Sequence, residues 1–309
     1  MEKYKLNSDI KVICVTADSF PSGILGAHNT LHYLLPSDNG RNFFGISSPN
    51  KKGDIIYKAA VEESFAGEAE KLGCDTFVIK KGEYISIPIH NFISDVLSID
   101  RAFKNLIADP GIDPNGVCVE MYSGSDDVRC MVRLDPEKTL SAEIESELNS
   151  TFKNFYELIS SLTEEQINTI SFEGSWTAGQ LARHVFKSYA GFVQAINGPV
   201  KRTDRKPDEL VERSKSLFLN LATKIKASVF ITPEEIQYKK EDLLGSLNEI
   251  HDKLNESVQT LDMSQTCTAF EIPTFGYLTR LEAVYFVMYH TQRHTQQLKN
   301  IMEKLNTKG

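Results

Sequence analysis

Residues 281–298 read LEAVYFVMYHTQRHTQQL. Apolar side chains recur at Leu281, Val284, Tyr285 and Met288, the spacing of a helix face that looks into a bundle rather than into water. His290 and His294 follow four residues apart, so their imidazoles emerge from one face about 6 Å apart, a separation that one divalent ion bridges. Upstream, residues 177–189, TAGQLARHVFKSY, carry a third histidine, His184, eight residues after the only tryptophan, Trp176. Thr177 and Gln180 make a capping-box pattern there, and Leu181, Val185, Tyr189 and Phe192 form the stripe to be buried. Asn197-Gly198-Pro199 stops that helix. Further helices are expected near 141–161, 207–228, 241–261 and 277–305, and antiparallel helices of this length with short connections amount to a bundle.

Ahead of Pro136 the period changes. From Lys11 to Leu134 short strand-like runs alternate with turn residues: KVICVTA, NFFGISS, DIIYKAAVEE, DTFVIKKGEYISIPI, VCVEMY and VRCMVRL. Two stretches of helical spacing interrupt them, Ile24 to Leu35 and Ile99 to Ala108. The order strand, helix, strand, strand is therefore repeated, which predicts an α+β domain of two equivalent units whose antiparallel sheet carries its helices on one face. The expected fold class is an α+β domain over 1–136 followed by an all-α helical bundle over 137–309.

Composition sets the outer bounds. The 309 residues are 41% hydrophobic and 25% charged, enough apolar material for two packed cores. With 34 Lys+Arg against 42 Asp+Glu the net charge is -8, which argues against nucleic acid as the main partner. The start, MEKYKLNSDIKVICV, is charged and reaches its first apolar stretch only at Ile10, so no export signal is expected. No window approaches the ~20 apolar residues of a membrane span. The five cysteines include no C-x-x-C pair and lie mostly in apolar segments, which predicts reduced, buried thiols in a cytoplasmic protein.

From Phe152 to Leu305 the runs GSWTAGQLARH, FEIPTFGYLTRLEA and YHTQRHTQQL resemble the DinB family of four-helix-bundle proteins, also called the DinB/YfiT-like fold. The resemblance implies a divalent metal, zinc or nickel, held by His184, His290 and His294. Three protein nitrogens leave a coordination position open, the catalytic rather than the structural arrangement. Relatives include S-transferases that use low-molecular-weight thiols such as bacillithiol or mycothiol, and a metal-dependent isomerase. The resemblance also implies a homodimer. Arg183 and Arg293, each beside a ligand position, are either anchors for a thiol's carboxylates or ordinary surface charges.

The first half, through RNFFGISSPN, DIIYKAAVEE, FVIKKGEYISIPI, VCVEMY and VRCMVRL, resembles the effector-binding domain of GyrI-like proteins and bacterial transcription activators. That likeness implies an apolar, aromatic-lined cavity for a cationic or amphipathic small molecule, with Glu120 at its base and Tyr57, Tyr84 and Tyr122 as candidate walls. Pairing VCVEMY with VRCMVRL across the Ser123–Asp127 turn sets Tyr122 opposite Val128, Glu120 opposite Cys130 and Cys118 opposite Val132. Glu120 then lies on the apolar face, with Arg129 and Arg133 on the other; a slip of one residue would make it a surface ion-pair partner. The first strand is expected about ten residues into the chain, which leaves no space for a DNA-reading helix-turn-helix, so direct DNA binding is not expected.

Three functions compete on these grounds. One is a metal-dependent thiol transferase or detoxification enzyme fused to a module for a lipophilic cation. Another is a non-catalytic sequestering or sensor protein, and the third a stress-response interaction protein. Of the other histidines, His251 is expected on a solvated face, His28 and His32 on a helix surface or in a satisfied core, and His90 in a strand or turn.

Overall fold

The computed structural model describes residues 1–35, 40–124, 126–223 and 228–307. The chain divides into two units, Met1–Leu140 and Ser141–Gly309.

In the first unit the elements are β1 (Glu2–Leu6), β2 (Ile10–Thr16), α1 (Ile24–Leu34), β3 (Phe43–Pro49), β4 (Ile55–Glu62), α2 (Glu68–Leu72), β5 (Asp75–Ile79), β6 (Gly82–Ile89), α3 (Leu97–Leu106), β7 (Cys118–Ser123) and β8 (Asp127–Arg133). The sheet runs β1-β6-β8-β7-β3-β4-β2-β5, and its pairs are antiparallel. Two halves of like order therefore meet at β7 and β3, where Glu120 lies opposite Gly45. Each repeat also contributes a strand to the other: β1 completes the edge beside β6, and β5 completes the edge beside β2. The expected first strand at Lys11 is thus preceded by β1, whose Glu2, Lys3 and Lys5 are exposed and leave only Leu6 buried. The single run expected over 75–89 is two strands because the chain turns at Lys80-Lys81-Gly82. Gly82 has φ 142°, and Asp9 accepts hydrogen bonds from the Lys81 amide and the Lys80 ammonium.

Both longer helices of this unit cover one face. The α1 side chains Ala27 and Leu31 pack on Ile13, Tyr57, Ala59 and Val61; α3, through Ala102 and Leu106, packs on Ile85, Cys130 and Val132. The opposite face carries Val12, Cys14, Phe44, Ile46, Tyr84, Val119 and Met131. Strand alternation produces this division, since neighbours in sequence point to opposite faces.

The second unit is helical: α4 (Pro136–Ser161), whose first turn precedes Ser141, α5 (Glu164–Ile167), α6 (Ala178–Ile196), α7 (Val211–Leu219), α8 (Lys240–Thr260) and α9 (Arg280–Asn306), with a short ribbon of β9 (Val200–Lys201) and β10 (Thr266–Cys267). Capping boxes at Thr163/Gln166, Thr177/Gln180 and Thr279/Glu282 start α5, α6 and α9. Leu148, Phe155, Leu181, Val185, Leu247, Leu254, Val284, Met288 and Leu298 form the shared core of the four long helices.

The helix expected over 207–228 is only Val211–Leu219 among the described residues, and residues 224–227 of that span lie outside them. Arg293 ends it by donating to the carbonyls of Phe218 and Asn220. His251 is not solvated, as expected, but buried: it stacks on Phe152 with centroids 3.8 Å apart, and its Nε2 lies 2.8 Å from Asn149 Oδ1. Among the described residues no helix is long and apolar enough to cross a membrane.

Candidate functional site

His184 projects from α6, and His290 and His294 from α9, where the i,i+4 spacing sets the two rings edge to face on the side turned towards α6. Their Nε2 atoms approach pairwise to 3.1 Å: His184 to His290, His184 to His294, and His290 to His294. All three residues are buried, with Trp176 4.9 Å from the His184 ring and Phe218 edge-on to His290 at 5.5 Å. Burial pushes all three imidazoles towards the neutral form, His294 down to about 3, with repulsion between the rings and the charge of Arg293 acting in the same sense on His290 and His294.

The hydrogen bonds fix which nitrogen faces inward. His184 Nδ1 donates to the Ile231 carbonyl at 2.8 Å, and His294 Nδ1 faces the Gln297 Oε1 at 3.0 Å. A neutral ring that donates through Nδ1 presents Nε2 as a bare lone pair. Two such lone pairs 3.1 Å apart cannot hydrogen-bond to each other, and a cation between them removes the conflict. Nitrogens at this spacing suit an ion at about 2.0–2.1 Å from each, and an outer partner on the remote ring nitrogen is the usual support of a histidine ligand. The residues therefore fit a divalent metal. The His290 Nδ1 is buried and, among the described residues, has no hydrogen-bond partner. Among the described residues no fourth His, Cys, Asp or Glu joins the group.

The two arginines beside the ligands are engaged elsewhere. Arg183 pairs with Glu234 through Nε at 3.2 Å and lies over Phe186, while Arg293 donates to the carbonyls of Phe218, Asn220 and Thr223.

In the first unit Glu120 is buried at the seam of the two half-sheets, on the face that carries α1 and α3. Its Oε2 accepts hydrogen bonds from Tyr57 at 2.8 Å and Tyr122 at 2.5 Å. Burial raises the Glu120 carboxyl, and the two phenols oppose that rise; burial and the carboxylate raise both phenols in turn. His28 extends the chain of contacts, its Nε2 3.0 Å from the Tyr57 hydroxyl, and burial pushes its pKa down to about 4. Phe20 stacks against Tyr57 and Phe92 tilts against Tyr122.

Gly45 makes the arrangement possible, because a Cβ there would stand 2.1 Å from the Tyr57 hydroxyl and 2.3 Å from the Glu120 Oε2. The hairpin register is the one that alternation predicts, with Glu120 opposite Cys130; Ser125 of its turn lies outside the described residues. Tyr57 and Tyr122 meet Glu120, whereas Tyr84 does not. It occupies the opposite face, where its hydroxyl donates to the Lys80 carbonyl.

Several contributors escaped the sequence reading. Gln297 stands one helical turn beyond His294, a spacing that could have marked it. His28, Phe20 and Phe92 are brought to Tyr57 and Tyr122 by packing between distant segments, and the Ile231 carbonyl has no side-chain signal at all.

Residues 147–298 match the DinB superfamily. No curated protein matches the chain. Among solved structures, the four-helix bundle protein TT2238 is 20% identical over 52% of this chain and 98% of its own, with a TM-score of 0.34. YfiT from Bacillus subtilis, described as a probable metal-dependent hydrolase with an unusual four-helix bundle topology, is 16% identical over 55% of this chain and 89% of its own, with a TM-score of 0.36. SAV2435 bound to tetraphenylphosphonium is 11% identical over 44% of this chain and 93% of its own, also with a TM-score of 0.36. The eight-stranded sheet is compatible with a GyrI-like domain. The helical unit, with its capped helices and packed core, thus carries the match to the DinB superfamily over residues 147–298.

Proposed function

We propose that the helical unit is a metal-dependent enzyme centre in which His184, His290 and His294 hold one zinc or nickel ion and a nucleophile, a low-molecular-weight thiol or water, is activated beside them. The observation that carries this reading is the convergence of three Nε2 atoms at 3.1 Å, with the inward lone pairs of His184 and His294 fixed by Ile231 and Gln297. Such an ion, when bound, acts as a Lewis acid that lowers the pKa of the nucleophile. The protein's part is to supply three neutral nitrogens, which leave the charge of the site uncompensated, and to keep the rings dry so that this charge acts at full strength. Thiol transfer is the leading reaction. Its test is an assay of metal-loaded protein against a panel of electrophiles with bacillithiol, glutathione or cysteine, and with water alone. Rates above those of metal-free protein only with a thiol support transfer; acceleration without one points to hydrolysis; no acceleration for any pair rejects catalysis.

A second reading concerns the first unit, as a module that sequesters or senses a lipophilic cation. The buried Glu120 carboxyl between Tyr57 and Tyr122 favours it, since an ionised carboxylate in an aromatic setting recognises a cation by charge and by ring faces together. Glu120→Gln keeps the shape and removes the charge. It is expected to weaken binding of tetraphenylphosphonium at least tenfold, and equal binding by both forms would reject the reading.

A further inference from the structure

The segment before α8 is tied to α6 at three points around His184, through Ile231, Thr232 and Glu234. The Ile231 carbonyl accepts from His184 Nδ1 at 2.8 Å, and the Thr232 carbonyl accepts from Lys187 Nζ at 2.7 Å. Glu234 bridges both neighbours of the ligand on that helix, through Arg183 Nε at 3.2 Å and Lys187 Nζ at 2.8 Å. The far side of Glu234 is held as well: Tyr238 donates to its carbonyl at 2.8 Å, and Tyr238 is fixed in turn by Asn168, which accepts from its amide and donates to its carbonyl. Arg183, His184 and Lys187 lie within little more than one turn of α6, so these contacts tie the strap to the turn that carries His184.

We propose that residues 231–234 are a strap that sets the ring orientation of His184, that Glu234 is the positioning residue holding it, and that strap order and ion affinity are thereby coupled. The inference rests on the three-histidine metal reading above. An ion on His184 Nε2 leaves the ring proton only Nδ1, and a buried Nδ1–H needs an acceptor. Among the described residues the Ile231 carbonyl is that acceptor. With the strap displaced, the ring loses both its acceptor and its reason to keep Nε2 bare. Coupling of this kind is reciprocal: whatever the strap adds to ion affinity, the ion adds to strap order. Neither Arg183 nor Glu234 touches the ring nitrogens in this arrangement; both act through backbone position.

The test is a competitive chelator titration with zinc alone on full-length wild type, Glu234→Gln and Glu234→Asp, combined with hydrogen exchange of the amides over 228–238 with and without zinc. Wild type is expected to bind one zinc and to slow exchange in the strap on loading. Glu234→Gln is expected to remain folded and to bind one zinc about tenfold more weakly, with most of that slowing lost, and Glu234→Asp to recover part of both. Zinc binding of unchanged affinity in Glu234→Gln, or strap exchange that ignores zinc in a wild type that binds it, overturns the strap alone. A wild type that binds no zinc overturns the metal reading and the strap with it.

Discussion

The Nε2 of His184 lies 3.1 Å from the Nε2 of His290 although the two residues are 106 positions apart in sequence. The contact exists because α6 and α9 pack against each other through Leu181, Val185, Val284 and Met288, and each helix places its histidine at the same level of the bundle. Both rings are buried, and burial pushes both towards the neutral form, an arrangement that is costly for polar groups unless something uses the lone pairs.

Gly45 is the residue whose replacement most directly tests the Glu120 site. Gly45→Ala puts a methyl group where the Tyr57 hydroxyl and the Glu120 carboxylate meet. Tyr57 and Glu120 are both buried, and the Tyr57 ring is packed against α1, so one of them is displaced at a stability cost of about 2–3 kcal/mol and their mutual hydrogen bond is lost. A clearly lowered urea midpoint, with lipophilic-cation binding by the folded variant reduced at least tenfold, is the expected pair of results. Unchanged binding would show that Tyr57 and Glu120 need not meet.

Glu282 is fully buried and accepts from Arg205, at 2.6 Å for Nη2 to Oε2, from the Leu210 amide and from the Thr279 amide at the start of α9. Arg205→Met leaves that carboxylate without its counter-charge and is expected to cost about 3 kcal/mol in urea denaturation. Adding Glu282→Gln to the same chain removes the unpaired charge and is expected to recover part of the loss. If Arg205→Met alone costs nothing, the pair contributes nothing to holding α9 in place.

The strand alternation of VCVEMY placed Glu120 on the buried face, and the i,i+4 spacing with the Thr177 cap placed the three histidines on helices; these are local periodicities that survive tertiary packing. The exchange of β1 and β5 between repeats was not legible, because strand pairing is decided by partners 61–84 residues away, and β1 buries only Leu6. The stop of α7 at Leu219 was hidden for a similar reason, since Arg293 of a distant helix caps it. His251 misled by its acidic neighbours, although the ring itself points at Phe152.

His251 also gives the helical unit a pH dependence. Burial pushes its pKa down to about 4, whereas an unfolded chain titrates near 6.5. The unfolded state therefore binds the extra proton first, so the contribution of this group is present above about pH 6.5 and is lost as the pH falls towards 4. His251→Gln has no such titration, and its stability deficit relative to wild type, measured by urea midpoints, is expected to shrink between pH 7 and about pH 4.5. A deficit that stays constant would contradict the assignment.

The most direct measurement of the central claim is the metal content of tag-free protein by plasma mass spectrometry, for wild type and for His290→Ala. His290 is the informative position because its Nδ1 has no outer partner among the described residues, so its loss disturbs only the contacts inside the triad. About one zinc or nickel ion per wild-type chain, with nearly none in a folded His290→Ala, is the predicted result. Full retention of the ion by His290→Ala would contradict the three-histidine centre.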